Sequence, residues 1–263
     1  MALIAIAVYD TNENKRTELT ERTLESLKIT VDRRRHRVIV VDNNSCDATK
    51  KLLDKFRNRC KACEEVITLP ENIGTAKAIN KAWQLRKPGE HAVKMDNDVV
   101  IHTVHWCDIL EEIVTREPQV GIAGLKRTDC IETPWHEMPW YRSELLMLPH
   151  KLGQRWLIVE KVHHVMGTCQ LYSDALLNKI GYLYQMGELY GFDDALASVR
   201  AHKAGFITVH YPHILIDHID PGGDDPYTKW KQDVSSMAMG RYNAERKAIE
   251  LGYKPVYVGP EGE

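Results

Sequence analysis

Four short apolar runs recur along the first hundred residues: A-L-I-A-I-A-V-Y at 2–9, R-V-I-V-V-D at 37–42, E-V-I-T-L at 65–69 and A-V-K-M-D at 92–96. Between them lie stretches with helical character. Strands that read as nearly continuous apolar runs are buried on both faces, and strands that alternate with helices are joined by crossovers. The pattern therefore dictates an α/β fold with a parallel sheet covered by helices on both sides. In T-E-L-T-E-R-T-L-E-S-L at 17–27, Leu19, Leu24 and Leu27 fall near one helical face. Asn44, Ser45 and Asp47 supply turn and N-cap groups for a helix reaching about Phe56, and A-K-A-I-N-K-A-W-Q-L at 76–85 is helical.

No internal repeat or low-complexity linker interrupts the alternation, and 263 residues are enough for one full core. One domain is expected over 1–220. The loop P-G-G-D-D-P-Y, a helix from about Pro226 to Leu251 and the tail, together 221–263, pack on that domain. No run approaches the roughly 18 apolar residues of a membrane span. The N-terminus lacks the basic start and cleavage site of a signal peptide, so it reads as a first strand. The six cysteines are scattered, and reduced thiols in a cytoplasmic location are expected. Cys60 and Cys63 have C-x-x-C spacing, but no second pair completes a zinc site. A formal net charge of -2 gives no global attraction to nucleic acid, although R-R-R-H-R at 33–37 is a local basic cluster.

In such sheets, ligands bind beyond the carboxyl ends of the strands. Asp42, the segment from Asn72 to Gly74, and the pair Asp96 and Asp98 all fall at such ends. No G-x-G-x-x-G follows the first strand and no G-x-x-x-x-G-K-[ST] occurs, so a nucleotide has to be held without a glycine cradle. The D-x-D of V-K-M-D-N-D-V-V-I has two readings by itself. Asp and Asn punctuate turns by bonding their own backbone. Paired carboxylates also suit a hard divalent cation that keeps positions for water and substrate phosphates.

The order V-V-D-N-N-S-C-D-A-T, E-N-I-G-T-A-K-A-I-N, K-M-D-N-D-V, M-G-T-C-Q-L-Y and G-F-D-D-A-L-A-S-V-R-A-H-K-A-G-F resembles the family 2 glycosyltransferases of the GT-A fold, over about residues 2–218. The resemblance implies a single Rossmann-like mixed, mostly parallel sheet flanked by helices. It also implies an enzyme that moves a sugar, with inversion, from a nucleotide-diphosphate donor such as a UDP-sugar to an acceptor hydroxyl. Mn2+ or Mg2+ would be the cofactor. By the same resemblance Asp42 recognises base or ribose, with Tyr9 and Asp10 in the same wall. Asn72, Gly74, Lys77 and Asn80 lie along the donor. Asp96 and Asn97 contact ribose or metal-bound water, with Asp96 also a candidate ligand, and Asp98 ligates the metal. Asp193 and Asp194 answer to the family's acidic pair, and Asp194, six residues before Arg200, is the first choice for the base. Asp193 stands where a Glu is usual. His218 completes the metal shell, with Asp217, Asp220 and His213 as competitors.

Other features stay open at this level. Trp135, Trp140, Tyr141 and Trp156 in the stretch 133–156 suit either an insertion beside the acceptor cleft or core under a long loop. Lys229 and Lys231 either close over a diphosphate or lie on a solvated helix face. His102, His105, His163 and His164 are expected on the surface or in the core. The acceptor could be a saccharide, a lipid-linked sugar, a protein side chain or a hydroxymethylated DNA base, the last needing a basic groove. Two rivals remain. One is a nucleotidyltransferase, although A-I-A-V-Y-D-T-N lacks its G-G-x-G-T-R-type start. The other is a non-catalytic nucleotide-sugar binding module.

Overall fold

The computed structural model describes residues 1–132, 143–187, 189–222 and 225–263. The first four apolar runs form β1 (Ala2–Val8), β2 (His36–Asp42), β3 (Cys63–Thr68) and β4 (His91–Met95), all parallel, in the order β3-β2-β1-β4. The crossovers carry α1 (Thr17–Thr30), α2 (Asp47–Arg59) and α3 (Thr75–Trp83). Alternation along β1 assigns its two faces: Ala2, Ile4, Ile6 and Val8 pack with Leu24, Leu27, Leu53 and Phe56, whereas Leu3 and Ala5 pack with Ala76, Ile79 and Trp83. Helices therefore cover both sides, as the apolar runs require.

The second half of the sheet is mixed. After β5 (Val99–Ile101), α4 (Trp106–Arg116), β6 (Val120–Arg127) and α5 (Asp129–Glu132) come β7 (Glu144–Met147), β8 (Ile158–Val162), β9 (Cys169–Tyr172), α6 (Asp174–Ile180), α7 (Asp193–Lys203), β10 (Ile207–His218) and α8 (Pro226–Glu250). The order continues β4-β9-β6-β10-β8-β7. Because β9 is antiparallel to both β4 and β6, and β6 is parallel to β10, the strands β3, β2, β1, β4, β6 and β10 all run the same way. The stretch after 142 is less of a loop than its broken periodicity suggested, since β7 and β8 form a hairpin that extends the sheet beside β10. Trp156 is exposed and stacks on His150 at 3.9 Å. Trp135, Trp140 and Tyr141 lie outside the described residues.

Two strand pairings bring distant residues to the end of β4. Met95 lies opposite Cys169, so Gly167 and Thr168 stand beside that end and the Asp96 N–H donates to the Thr168 carbonyl at 3.1 Å. His218 lies opposite Val99, and the Ile219 N–H donates to the Asp98 carbonyl at 2.8 Å. Residues some 120 apart in sequence are thereby fixed side by side.

The C-terminal tail returns to the sheet domain, where Val258 bridges Gly181. Arg200 fastens this junction. Its buried guanidinium donates to the carbonyls of Val256 (2.6 Å), Tyr182 (2.8 Å) and Ile180. Burial lowers its pKa to about 10, which leaves it charged at neutral pH. No described helix is long and apolar enough to cross a membrane. In the basic cluster at 33–37, Arg35 pairs with Asp108 and Glu111 and Arg37 with Glu90 and Glu64, His36 faces Asp108, and Arg33 and Arg34 are exposed.

Arg200→Met would leave three buried carbonyls without a charged donor, at about 1.5–3 kcal/mol per such bond in the strongest case. Urea unfolding is expected to show a loss of at least about 3 kcal/mol, against under about 0.5 kcal/mol for Arg246→Met in the exposed pair with Glu250.

Candidate active site

A cavity of about 250 Å³ opens beyond the carboxyl ends of β1 and β4, bounded by the start of α7 on one side and of α8 on another. Tyr9, Asp96, Asn97, Asp98, Asp193, Asp194 and His218 all line it. Six of the sequence candidates do not. Asp10 is fully buried and accepts from Thr20 (2.7 Å), Thr49 (3.2 Å) and Asn97 (3.0 Å), so it ties the D-x-D turn to α1 and α2. Burial pushes its carboxyl above the ordinary range. Asp42 is also buried. One oxygen accepts the Ser45 N–H at 2.7 Å, and the other has no hydrogen-bond partner.

The segment at 72–80 is engaged within the fold. Asn72 accepts from Asn43 (2.8 Å) and from the Gly74 N–H (3.0 Å). Gly74 has a φ of 90°, which an L side chain rarely adopts, and a Cβ there would stand 2.2 Å from the Gln185 amide that crosses it. The Lys77 N–H donates to the same amide at 3.1 Å, and Asn80 clamps the Leu183 backbone at 2.8 and 2.9 Å. Only Thr75 of this region reaches the cavity.

The metal-ligand chemistry gathers around Asp98. Ligand atoms of Asp98, His218 and Asp220 all lie within 4.8 Å of one another, so the strand pairing joins His218 to one of its proposed competitors. Two carboxylates and an imidazole form a donor set that fits Mn2+ or Mg2+. Asp98 Oδ1 supports the fit: it is buried without a hydrogen-bond partner, because His218 Nε2 stands 3.6 Å away. Burial favours the protonated form of Asp98, but His218, Arg16 and Lys231 outweigh it and hold the pKa below the ordinary range. Asp96 is not part of this group; its oxygen lies 3.5 Å from Lys94 Nζ. Asp217 instead bonds His102 at 2.8 Å, and the exposed His213 packs against Tyr211. Lys231 lines the cavity and pairs with Asp220, whereas Lys229 is exposed.

A second triad of ligand types, His36, Asp108 and Glu111, does not suit a metal. The Ala2 N–H donates to His36 Nδ1 at 3.2 Å, which places the imidazole proton on Nε2, facing Asp108 at 3.3 Å. Neither ring nitrogen has a lone pair free.

The acidic pair opens α7. Phe192, just before it, is left-handed at φ 61° and is pinned by stacking on Tyr242 at 4.5 Å. Asp193 lies 3.1 Å from Lys94 Nζ, deep in the site. Asp194 accepts the Gly167 N–H and the Ala195 N–H, both at 2.8 Å, with His164 Nε2 3.6 Å away. A Cβ on Gly167 would stand 2.7 Å from Lys94 Nζ and 2.8 Å from Asp194 Oδ2, so the glycine of M-G-T permits this approach. Burial alone would raise the Asp194 pKa, yet His164, Lys94 and the two backbone N–H groups keep it below the ordinary carboxylate range.

Sequence reasoning missed Lys94, Arg16 and Asn43, and it sent His164 to the surface or core. A lysine inside an apolar strand is an available signal for Lys94. Arg16 sits in N-E-N-K-R, a run that reads as solvated loop, and nothing in the sequence marks it.

An open, mostly parallel sheet with acids converging beyond its carboxyl ends, and with no glycine-rich phosphate loop, defines the GT-A architecture. The chain belongs to glycosyl transferase family 2, whose profile matches residues 4–181. No curated protein matches the sequence. Among solved structures, the fold is shared with the mannosyltransferase PcManGT from Pyrobaculum calidifontis in complex with GDP-Man and Mn2+, at 18% identity and TM-score 0.65, covering 87% of this chain and 59% of that one. It is shared with S. aureus TarS 1-349 in complex with UDP-GlcNAc at 21% identity and TM-score 0.60, covering 86% and 60%. It is shared also with GalNAc-T7 with UDP, GalNAc and Mn2+ at 12% identity and TM-score 0.62, covering 84% and 44%. The chain thus spans between 44% and 60% of the length of these three proteins.

The depressed Asp194 pKa has a stability consequence. Its ionised form stabilises the fold fully above the unfolded value of about 3.9 and loses that contribution as pH falls through the lower folded value. Asp194→Asn is therefore expected to cost about 1.5 kcal/mol at pH 7. In urea melts the gap from wild type should narrow as pH approaches 3.

Proposed function

We propose that this protein is a metal-dependent glycosyltransferase that moves a sugar from a nucleotide-diphosphate donor, a UDP-sugar, to an acceptor hydroxyl with inversion at the anomeric carbon. The observation that carries the reading is that one cavity is lined both by Asp98 and His218, whose ligand atoms lie within 4.8 Å of one another and of Asp220, and by a carboxylate at a helix start, Asp194. Of the three related structures, two hold uridine nucleotides and two hold Mn2+, which supports the donor and the cofactor.

Asp98, His218 and Asp220 would hold Mn2+ or Mg2+, whose chemistry is to offset the negative charge that develops on a leaving diphosphate. Asp96, partly exposed at the cavity, would accept a hydrogen bond from a ribose hydroxyl. Asp194 serves as the base. Its side chain is 24% exposed against 10% for Asp193, and its lowered pKa keeps it ionised at neutral pH, ready to accept the acceptor's proton as the hydroxyl attacks. Asp193 is held by Lys94 and fixes the start of α7. The acceptor is a saccharide or another hydroxyl-bearing molecule. A modified DNA base is the minority alternative: in the cluster at 33–37, Arg35 and Arg37 are engaged in ion pairs, whereas Arg33 and Arg34 are exposed.

A screen of UDP- and GDP-sugars with Mn2+ or Mg2+, measuring release of nucleotide diphosphate, tests this reading. Asp194→Asn is expected to lower turnover at least about 100-fold. Asp98→Ala is expected to lower it comparably and to abolish its dependence on metal concentration. Release undiminished in both variants would sink the site assignment, and no turnover with any donor would favour a binding module.

A further inference from the structure

Behind Asp194, outside the cavity lining, stands His164, in the segment between β8 and β9. The chain is held there: the Val165 carbonyl accepts from the buried Gln170 amide at 2.5 Å, and Gln170 in turn accepts from the Tyr172 hydroxyl at 2.7 Å. The His164 ring spans two residues of α7. Its Nδ1 lies 3.4 Å from Ser198 Oγ, and its Nε2 lies 3.6 Å from Asp194 Oδ2. The Ser198 hydroxyl gives its own proton to the Asp194 carbonyl one turn back, at 3.1 Å, so towards His164 its oxygen can only accept. The neutral imidazole therefore carries its proton on Nδ1, and the Nε2 lone pair faces the Asp194 carboxylate. Two lone pairs that face each other leave a place for one proton between them.

That proton has a source. When an acceptor hydroxyl attacks the anomeric carbon, its O–H bond breaks, the electron pair stays on the attacking oxygen and the proton goes to Asp194. A carboxyl held below its ordinary range is a poor place for the proton to stay, whereas an imidazole binds one more tightly than a carboxylate does. We propose that His164 takes this proton from Asp194. The Asp194 O–H bond breaks, an N–H bond forms at Nε2, and the carboxylate is restored for the next turnover. The imidazolium, whose side chain is 25% exposed, then releases the proton to water. A hydrogen bond of roughly 2.8 Å needs the two groups to close by less than about 1 Å. Near His164 stand His202 on α7 and His210 on β10, with His163, Lys161 and Lys126 next to these and Lys94 beside Asp194. Burial lowers the pKa of both His202 and His210, the latter to about 3, so neither competes for the proton at neutral pH. The inference rests on the reading of Asp194 as the base of glycosyl transfer.

Histidine nitrogen NMR and turnover test the proposal separately. In the spectrum of the wild type, the neutral His164 ring should carry its proton on Nδ1. Turnover is followed as nucleotide diphosphate released from the sugar nucleotide that the donor screen selects, with water as the acceptor and Mn2+ saturating. The ratio of wild-type to His164→Gln turnover should rise from near 1 at about pH 5.5 to on the order of 10 at about pH 8, because only the neutral imidazole can accept a proton. The KM for the donor should stay within about twofold, and imidazole added to His164→Ala should restore part of the lost turnover at alkaline pH. The spectrum of the wild type decides the matter if the His164 variants do not fold. A ratio that does not change with pH, no restoration by imidazole, or a proton on Nε2 in the wild type overturns the proposal while leaving Asp194 as the base. So does a ratio that falls as pH rises, since His164 would then act only through its positive charge. Turnover undiminished in Asp194→Asn, or absent from the wild type with every donor, overturns the reading of the base itself, and the inference with it.

Discussion

The candidate-site end of this fold depends on how carboxylates are paired with cations at the end of a buried sheet. A carboxylate taken out of water is costly unless a cation or several N–H groups face it. Lys94 stands inside β4, 3.1 Å from Asp193 and 3.5 Å from Asp96, where burial still raises the Asp96 pKa, and Arg16 faces Asp98. Burial by itself would neutralise the Lys94 ammonium, and the two acids reverse that, so its pKa lies well above the ordinary lysine value. The cations therefore decide which acids can be present at all, and which remain free to act.

Strand pairing does the remaining placement. Antiparallel β9 carries the Gly167 N–H to Asp194, and the short β5 holds Asp98 against the end of β10, where His218 and Asp220 follow. The proposed metal ligands and base come from elements that are neighbours only through the sheet. The arrangement rests on rigid strand ends and helix starts, which suits a site that must hold reacting groups in place before reaction.

Much of this was legible in the sequence, and the reason differs by residue. The strand ends were readable because an apolar β-branched run that stops at an acid carries both its burial and its boundary. His218 was readable because it closes the apolar run I-L-I-D-H. The segment at 72–80 was located but not its partners: Asn80 and Gly74 face Leu183 and Gln185, which no local pattern links to them. Arg16 and His164 were illegible as site residues, since their roles come from tertiary proximity to Asp98 and Asp194. The hairpin β7–β8 was hidden because its strands are short and half exposed, with apolar side chains on the outer face as well as the inner one.

Anomalous diffraction from crystals grown with UDP and Mn2+ tests the central claim most directly. The account predicts one manganese peak ligated by Asp98, His218 and Asp220, with the diphosphate on the metal and the sugar-bearing end toward Asp194. A peak ligated by Asp96 and Asp193, or a nucleotide bound away from this cavity, would contradict it.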